Sequence, residues 1–268
     1  MSEEQQQAIP AQVPASDDPQ TLFNQTLTAA EQGQPEAMLT VGELYERGAG
    51  TAKNFTMALT WYEKAAGAGS GEAAFRTGLC HEIGIGTTTD MTKAIAAYNK
   101  SVELGSARAA HKMAMLYLSG YGQSNGLARD VSKGLELLKQ AAKAGEGAAY
   151  NTIAMIFLHG QFGQPADRDK AMKSFTISAK AGNLEGMKNL ALLLADEQPL
   201  TALRWALIAH RGGLRAVELT ELTNSLHNKI DEAGRRQAEE EARQWISGYL
   251  DKKQGNMAPG GQSDIQSP

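Results

Sequence analysis

Apolar and polar residues alternate along most of this chain with the period of an α-helix. Between about residues 20 and 217, small or apolar side chains recur at spacings of three and four positions, which predicts short amphipathic helices. Glycines interrupt the pattern at regular places, and they are typical of helix ends because glycine adopts the left-handed conformation that other residues resist. The pattern therefore predicts an all-α protein made of short helices joined by glycine turns.

The predicted helices come in pairs that repeat along the sequence. The segment that begins at Ala37 matches the segment that begins at Ala73 at a constant offset of 36 residues. The repeated positions are Gly42, Tyr45, Gly48, Gly50, Ala58, Trp61, Tyr62 and Gly69 in the first copy, and Gly78, Gly84, Gly86, Ala94, Tyr98 and Gly105 in the second. A lone pair of helices cannot bury its apolar face, so we expect the copies to stack into one continuous α-solenoid.

These repeats divide the chain into predicted segments. A half-repeat at 19–34 is followed by repeats at about 35–70, 71–106, 107–146, 147–183 and 184–213, the last of which has lost its glycine turn. Four repeats carry, at one shared position, a residue whose side-chain oxygen is expected to cap the second helix by accepting a backbone N–H hydrogen bond. These residues are Asn54, Asp90, Asp130 and Asp167.

The flanking segments differ from the repeats. Residues 214–252 predict a pair of capping helices, and Asp231 is expected to begin the second of them. The apolar stripe of that helix comprises Ala238, Ala242, Trp245, Ile246 and Tyr249. The alternative is an amphipathic helix for a partner or a membrane, although its acidic polar side argues against a membrane. Residues 1–18 form an acidic segment and residues 253–268 a Gly/Gln/Ser/Pro-rich one, and we expect both to be disordered tails.

The repeated pattern resembles a known family. Its form is Ala-x4-Gly-x-x-Tyr-x-x-Gly-x-Gly, then Asp-x-x-Lys-Ala-x-x-Trp-Tyr-x-x-Ala-Ala-x-x-Gly, which is similar to the Sel1-like repeat of the tetratricopeptide superfamily. The resemblance covers about residues 20–217 and implies a right-handed α-α superhelix of about five helix-turn-helix repeats. Departures are local, since His81 stands in a tyrosine position and Leu137-Leu138 replaces the aromatic pair of the third copy. We expect His81 to fill the tyrosine position in the core.

Charge limits the classes of partner. The chain has 26 Lys and Arg against 30 Asp and Glu, and the first 18 residues hold four acids and no base. The remainder is balanced, which argues against a nucleic-acid binder because such proteins need a basic face. The sequence contains no run of 18 apolar residues, so it does not predict a membrane-spanning helix. The segment Met1–Asp18 lacks signal-peptide features, so we expect a cytoplasmic protein, or a periplasmic one if a signal sequence preceded it.

Side chains that carry catalysis or bind metals are sparse. Cys80 is the only cysteine, and the five histidines lack the spacing of a metal site. Cys80 is expected to be a buried structural residue rather than a nucleophile. Gly84-Ile-Gly86 is expected to be a helix–helix turn, since no strand precedes it and no Gly-Lys-Ser/Thr follows. The sequence therefore predicts a non-enzymatic protein without cofactor or metal.

What remains is a surface for another protein. By the resemblance, the first helix of each repeat lines the concave side of the superhelix, and a partner peptide or helix is expected to bind there. The residues assigned to this groove are Glu43, Arg47, Leu79, Met115, Leu118, Met155, Leu158 and Leu192. Met suits such a surface because its side chain adapts to different ligands. The alternative is that tight winding buries these positions in the core.

The resemblance also implies a class of function. Members of this repeat family commonly act as scaffolds or adaptors in signalling, secretion and complex assembly, so the sequence predicts an adaptor of that kind in a bacterial setting. The alternative is a secreted cell-wall or β-lactam-binding repeat protein with weak hydrolase activity. That role is associated with cysteine-rich members, whereas this chain has one cysteine and no Ser-x-x-Lys motif.

Overall fold

The computed structural model describes residues 18–255, and over this range the protein contains thirteen α-helices and no strand. The helices are Pro19–Glu31 (α1), Pro35–Arg47 (α2), Phe55–Gly67 (α3), Gly71–Ile83 (α4), Met91–Glu103 (α5), Ala107–Ser119 (α6), Val131–Lys143 (α7), Gly147–His159 (α8), Arg168–Lys180 (α9), Leu184–Leu194 (α10), Pro199–Arg211 (α11), Val217–Lys229 (α12) and Glu232–Gly255 (α13). A 3₁₀ turn, Gln123–Asn125, follows α6. The all-α, helix-turn-helix prediction is confirmed.

The described part of the chain divides into two compact units, and the division falls after Leu137, within α7. In the first unit the consecutive helices α1 to α6 pack against one another. In the second unit α8 to α12 pack in the same consecutive order, while α13 returns to pack on α11. In the second unit α10 also contacts α8, the first helix of the preceding repeat, and α12, which follows the repeats.

Short-range hydrogen bonds set where the second helix of each repeat begins. The four predicted capping residues each accept a hydrogen bond from the backbone N–H three positions later, at 2.9–3.0 Å, so this prediction is confirmed. Their own N–H groups donate, at 2.7–3.2 Å, to backbone carbonyls late in the preceding helix, those of Tyr45, His81, Tyr117 and Phe157. Each turn is therefore closed at both ends by local bonds.

Glycine turns end the first helices. Gly84 ends α4 in the left-handed conformation, with φ 76°. Two residues later, Gly86 lies so close to the first residue of α3, in the preceding repeat, that a Cβ atom would lie 2.3 Å from the carbonyl oxygen of Phe55. A side chain is excluded there by backbone, which does not yield as a flexible side chain can. The segment Gly84-Ile-Gly86 is thus a helix–helix turn, as predicted.

Buried alanines and aromatic residues form the core of the repeats. Ala58, Ala94, Tyr62 and Tyr98 are almost fully buried in the first unit, and His81 is buried in the tyrosine position that the sequence assigned to it. In the second unit the fully buried side chains include Phe175, Met187, Leu190, Leu203, Ile208, Leu219 and Leu226. These residues come from α9 to α12, so the core continues beyond the regular repeats.

Helix α13 packs on the second unit through its predicted apolar stripe. Ala238 and Ala242 are completely buried, and Asp231 caps the helix by accepting a hydrogen bond from the N–H of Gly234 at 2.9 Å. The Trp245 ring lies edge-on to Trp205 of α11, with centroids 5.6 Å apart. Arg204 adds an ion pair to Glu241 at 2.9 Å. The stripe is therefore an intramolecular contact in this structure.

Candidate functional site

Four of the groove residues predicted in the first unit are accessible to solvent on the first helices. Glu43 and Leu79 are partly exposed on α2 and α4, Arg47 is exposed at the end of α2, and Met115 of α6 is 40% exposed. We call this surface of α2, α4 and α6 the first-helix face of the first unit. It carries an exposed methionine beside charged side chains.

Leu118 does not belong to this face. It is only 2% exposed, and its side chain covers Gly134, where an added Cβ atom would lie 2.8 Å from Leu118 Cγ. The groove assignment of Leu118 was therefore wrong, and its position is a core position, as the alternative had it. The aligned positions of the first two repeats hold Glu46 and Glu82, whose carboxylates need hydrogen-bond partners, whereas a leucine gains free energy from burial.

Glu46 and Glu82 instead hold tyrosines of the second helices. The hydroxyl of Tyr62 donates to Glu46 Oε2, and that of Tyr98 donates to Glu82 Oε2, both at 2.5 Å. Burial, reinforced by these hydrogen bonds, raises the pKa of both tyrosines above their ordinary value. Both phenols therefore stay protonated and act as donors at neutral pH.

Ion pairs connect the first helices across the face. Arg76 of α4 reaches Glu43 at 2.7 Å, Glu72 at 3.1 Å and Glu46 at 3.6 Å. Arg108 of α6 bonds to the same Glu72 at 2.8 Å.

Lys112 of α6 completes the series by binding Glu82 at 2.8 Å. Each basic side chain of α4 and α6 named here is thus already bound to an acid of its own helix or of the preceding first helix. The charges of this face are largely satisfied within the protein, which leaves Leu79 and Met115 as its apolar contact area.

The second unit contains an apolar cleft on the corresponding helices. A cavity of about 370 Å³ opens between α8, α9 and α10. Its apolar lining consists of Met155, Leu158, Phe175, Leu192 and Leu193, and its polar lining of Arg168, Asn189, Asp196 and Glu197. The predicted groove residues Met155, Leu158 and Leu192 therefore meet in one place. Leu192 is 43% exposed, which is high for a leucine, so a ligand can reach it.

A second cavity of about 390 Å³ adjoins the first. It shares Leu192 and Asp196 with the first cavity and lies between α10 and α12. Ala195, Leu222 and Leu226 form the rest of its apolar lining, and Glu218, Glu221, Ser225 and Lys229 its polar lining. We call the two adjoining cavities the leucine cleft.

The fifth repeat differs from the first at two linked positions, and one of them, Ala195, lines the second cavity. Ala195 aligns with Glu46 of the first repeat, and Ala206 aligns with Tyr62, so the hydrogen-bonded pair is replaced by two alanines. The sequence analysis missed the contribution of α12 to the cleft, because Leu222 and Glu221 lie outside the repeats and have no aligned counterpart. Two sequence features distinguish the fifth repeat from the first, namely the absence of the glycine turn and the presence of alanine at both aligned positions.

Polar groups fix the walls of the cleft. Asn189 donates to Asn151 Oδ1 at 2.9 Å, which joins α10 to α8. Arg168 donates to the carbonyl of Leu193 at 3.0 Å and to Glu197 at 2.9 Å, which joins α9 to the end of α10. The walls are therefore held in place without a ligand.

A third cavity, of about 350 Å³, lies beneath α13. Its lining includes Met187, Ile208, Trp245 and Tyr249, and the Tyr249 hydroxyl donates to the carbonyl of Ala181 at 3.3 Å. The rings of Trp245 and Tyr249 stack with centroids 4.9 Å apart. This space belongs to the packing of α13 on the second unit.

No chemistry-bearing cluster accompanies these cavities in residues 18–255. Within that range no three His, Cys, Asp or Glu side chains are placed to hold a metal ion. Burial raises the pKa of Cys80 to about 11, so its thiol is protonated at neutral pH and is a poor nucleophile. None of the helices in that part of the chain has the length and apolar character that crossing a bilayer requires.

Solved structures show the same architecture. A Sel1 repeat protein from Oxalobacter formigenes superposes with a TM-score of 0.69 at 25% identity, covering 84% of this chain and 94% of that one. The protective antigen c5321, present in uropathogenic Escherichia coli strains and displaying an SLR fold, superposes with a TM-score of 0.53. It is 19% identical and covers 93% of this chain and 69% of that one, which is a likeness of fold alone.

Sequence comparison leads to the same family. Over 50 residues the chain is 46% identical to the chitin synthase regulator SKT5 of Saccharomyces cerevisiae, a match that spans 19% of this chain and 7% of that protein. The model of the Sel1 repeat matches four successive segments, residues 35–70, 71–106, 107–146 and 147–183. Since these copies cover more than half of its length, the chain belongs to the Sel1 repeat family.

Proposed function

We propose that this protein is a non-enzymatic scaffold or adaptor that binds a peptide or helix of another protein on the first helices of its repeats, in bacterial signalling, secretion or complex assembly. The leucine cleft carries this proposal. It presents the exposed Leu192 beside partly buried apolar side chains, between preorganised polar walls, and such a surface is typical of helix-in-groove recognition.

The family supports the same role. Sel1 repeat proteins are generally protein–protein interaction scaffolds and typically non-enzymatic. One relative, over its short match, is a regulator of an enzyme by its name. In the first unit, Glu43, Arg47, Leu79 and Met115 are proposed as the contact residues, and in the second unit Met155, Leu158 and Leu192 are.

Affinity capture with matched variants tests the proposal. The full-length protein is used as bait in its native extract beside Met115→Glu/Leu192→Glu, and captured proteins are identified by mass spectrometry. The control is Leu104→Glu/Ile177→Glu, because Leu104 and Ile177 are 40% and 45% exposed but lie on the second-helix side of the repeats. Circular dichroism verifies that each variant remains helical.

The proposal predicts a partner that both the wild type and the control variant capture and the test variant loses. Equal capture by all three would show that the partner binds elsewhere. Loss with both variants would mean that binding does not depend on the first helices in particular.

A further inference from the structure

We infer that the leucine cleft takes a basic amphipathic segment, in which aliphatic side chains are flanked by lysine or arginine. This inference rests on the proposed function and names the chemistry of the partner. It is argued from the part of the cleft between α10 and α12, where Leu192, Leu222 and Leu226 form the floor.

The charges of the cleft are not balanced. Its lining contains four acids and two bases, namely Asp196, Glu197, Glu218 and Glu221 against Arg168 and Lys229. Each base is already bound to an acid, Arg168 to Glu197 at 2.9 Å and Lys229 to Asp196 at 3.1 Å. The lining therefore carries an excess of two negative charges.

That excess lies on one helix. Glu218 and Glu221 of α12 form no ion pair within the part of the chain that the structure describes, and both are exposed. Glu218 lies in the first turn of α12, where the helix dipole stabilises an acid, but Glu221 lies beyond that turn and has no such support. An unpaired carboxylate beside an apolar floor attracts a cationic side chain and disfavours an anionic one.

The first-helix face of the first unit provides a contrast. There the ion pairs of Arg76, Arg108 and Lys112 occupy the acids Glu43, Glu72 and Glu82. Charge selection is therefore expected from the leucine cleft rather than from that face.

The charge of the cleft also disfavours one competing occupant. Residues 1–17 of this chain carry Glu3, Glu4 and Asp17 and no basic side chain. Such a segment would bring like charges to Glu218 and Glu221. A peptide of this sequence is therefore a stringent negative probe.

Two synthetic peptides test the inference on the full-length protein. Each is a helix-forming peptide of about 14 residues with leucines at helical spacing, and its flanking positions are lysine in one peptide and glutamate in the other. Affinity is measured by fluorescence anisotropy. We expect the lysine peptide to bind at least about tenfold more tightly, with the difference shrinking as salt is raised.

Variants assign the effect to its residues. Glu218→Gln/Glu221→Gln is expected to lower the affinity for the lysine peptide about three- to tenfold. The affinity for the glutamate peptide is not expected to fall. Leu192→Gln is expected to weaken both, whereas the equally exposed control Ile177→Gln changes neither. Glutamine is used at these positions so that no charge is added to the cleft.

The outcomes separate this inference from the proposed function. Equal affinity for both peptides, with both lost in Leu192→Gln, would overturn the charge selection and leave the cleft as a docking site. Binding of the 1–17 peptide at least as tight as that of the lysine peptide would also overturn it. Binding that does not depend on Leu192 would show that the leucine cleft is not the docking site. The capture experiment would then decide whether another part of the first helices binds the partner.

Discussion

At the scale of single residues, one helix position decides how the two helices of a repeat pack. A Cβ atom at Gly42 would lie 2.5 Å from a ring carbon of Tyr62, and one at Gly78 would lie 2.4 Å from the same atom of Tyr98. The absent side chain lets the ring approach until its hydroxyl reaches the glutamate. The third and fourth repeats have alanine at this position and Leu138 and Phe175 at the tyrosine position.

Adding a methyl group at Gly78 tests this packing. We expect Gly78→Ala to lower the free energy of unfolding by about 1–3 kcal/mol, because the new Cβ displaces a fully buried ring. Chemical denaturation measures the change. The control Gly67→Ala, also helical, has nothing within 4 Å of its Cβ, so it is expected to be neutral or to stabilise by up to about 1 kcal/mol.

A double variant checks the assigned contact. Tyr98→Leu is expected to recover part of the loss in the Gly78→Ala background, so the two effects are less than additive. Strict additivity, or an equal effect of Gly78→Ala and Gly67→Ala, would show that the ring does not set the requirement for glycine.

The buried phenols predict a pH dependence above neutrality. The pKa of Tyr62 and Tyr98 is raised in the folded protein, so the unfolded chain loses these protons first as pH rises. The unfolded state then binds fewer protons, and stability falls as pH increases above about 10. We expect a shallower decline in Tyr62→Phe/Tyr98→Phe, measured by denaturation from pH 8 to about 11.5. Parallel declines in the two proteins would contradict this assignment.

At the scale of elements, local hydrogen bonds set where the helices of the repeats begin, whereas tertiary packing holds α13 in place. The side chains of Asn54 and Asp90 cap their helices by accepting a hydrogen bond from the backbone N–H three residues later, which requires no packing from another repeat. Helix α13 begins with a comparable cap at Asp231, but Ala238 and Ala242 are buried only because α11 lies against them. We propose that α12 and α13 act as the terminal cap that a repeat array requires.

A buried charge tests the role of α13. Ala242→Glu is expected to lower the free energy of unfolding by about 3 kcal/mol, because it overpacks the contact with α11 and buries an unpaired carboxylate. Thermal unfolding and the fluorescence of Trp205 and Trp245 follow the change. Ser247→Glu places the same charge on the exposed side of α13 and should leave both unchanged. If Ala242→Glu behaves like Ser247→Glu, α13 is not a structural cap, and the alternative of a helix for a partner gains support.

At the scale of the whole molecule, stability is expected to be regional. Contacts in each unit join mainly neighbouring helices, so a local defect loosens the adjacent helices first. We expect Gly78→Ala to speed amide hydrogen exchange most in α3 to α6 and least in α11 to α13, as measured by mass spectrometry. A uniform acceleration across the helices would indicate one cooperative unit instead.

The sequence by itself determined the helical period, the register of the repeats, the caps at Asn54 and Asp90 and the glycine turns. Apart from the close approach of Gly86 to Phe55, these features depend on hydrogen bonds and backbone conformation within a single repeat. The chain repeats them, so each copy confirms the others. The tyrosine position of His81 was assigned correctly for the same reason.

Only the tertiary structure decided which face residues are open to a partner. Leu118 is buried against Gly134 of the next helix, whereas Leu192, in the last turn of α10, remains exposed. The leucine cleft depends on Leu222 and Glu221, about 30 residues further along and outside any repeat. Exposure is set by what packs against a side chain from distant parts of the chain, and the period of a single helix does not contain that information.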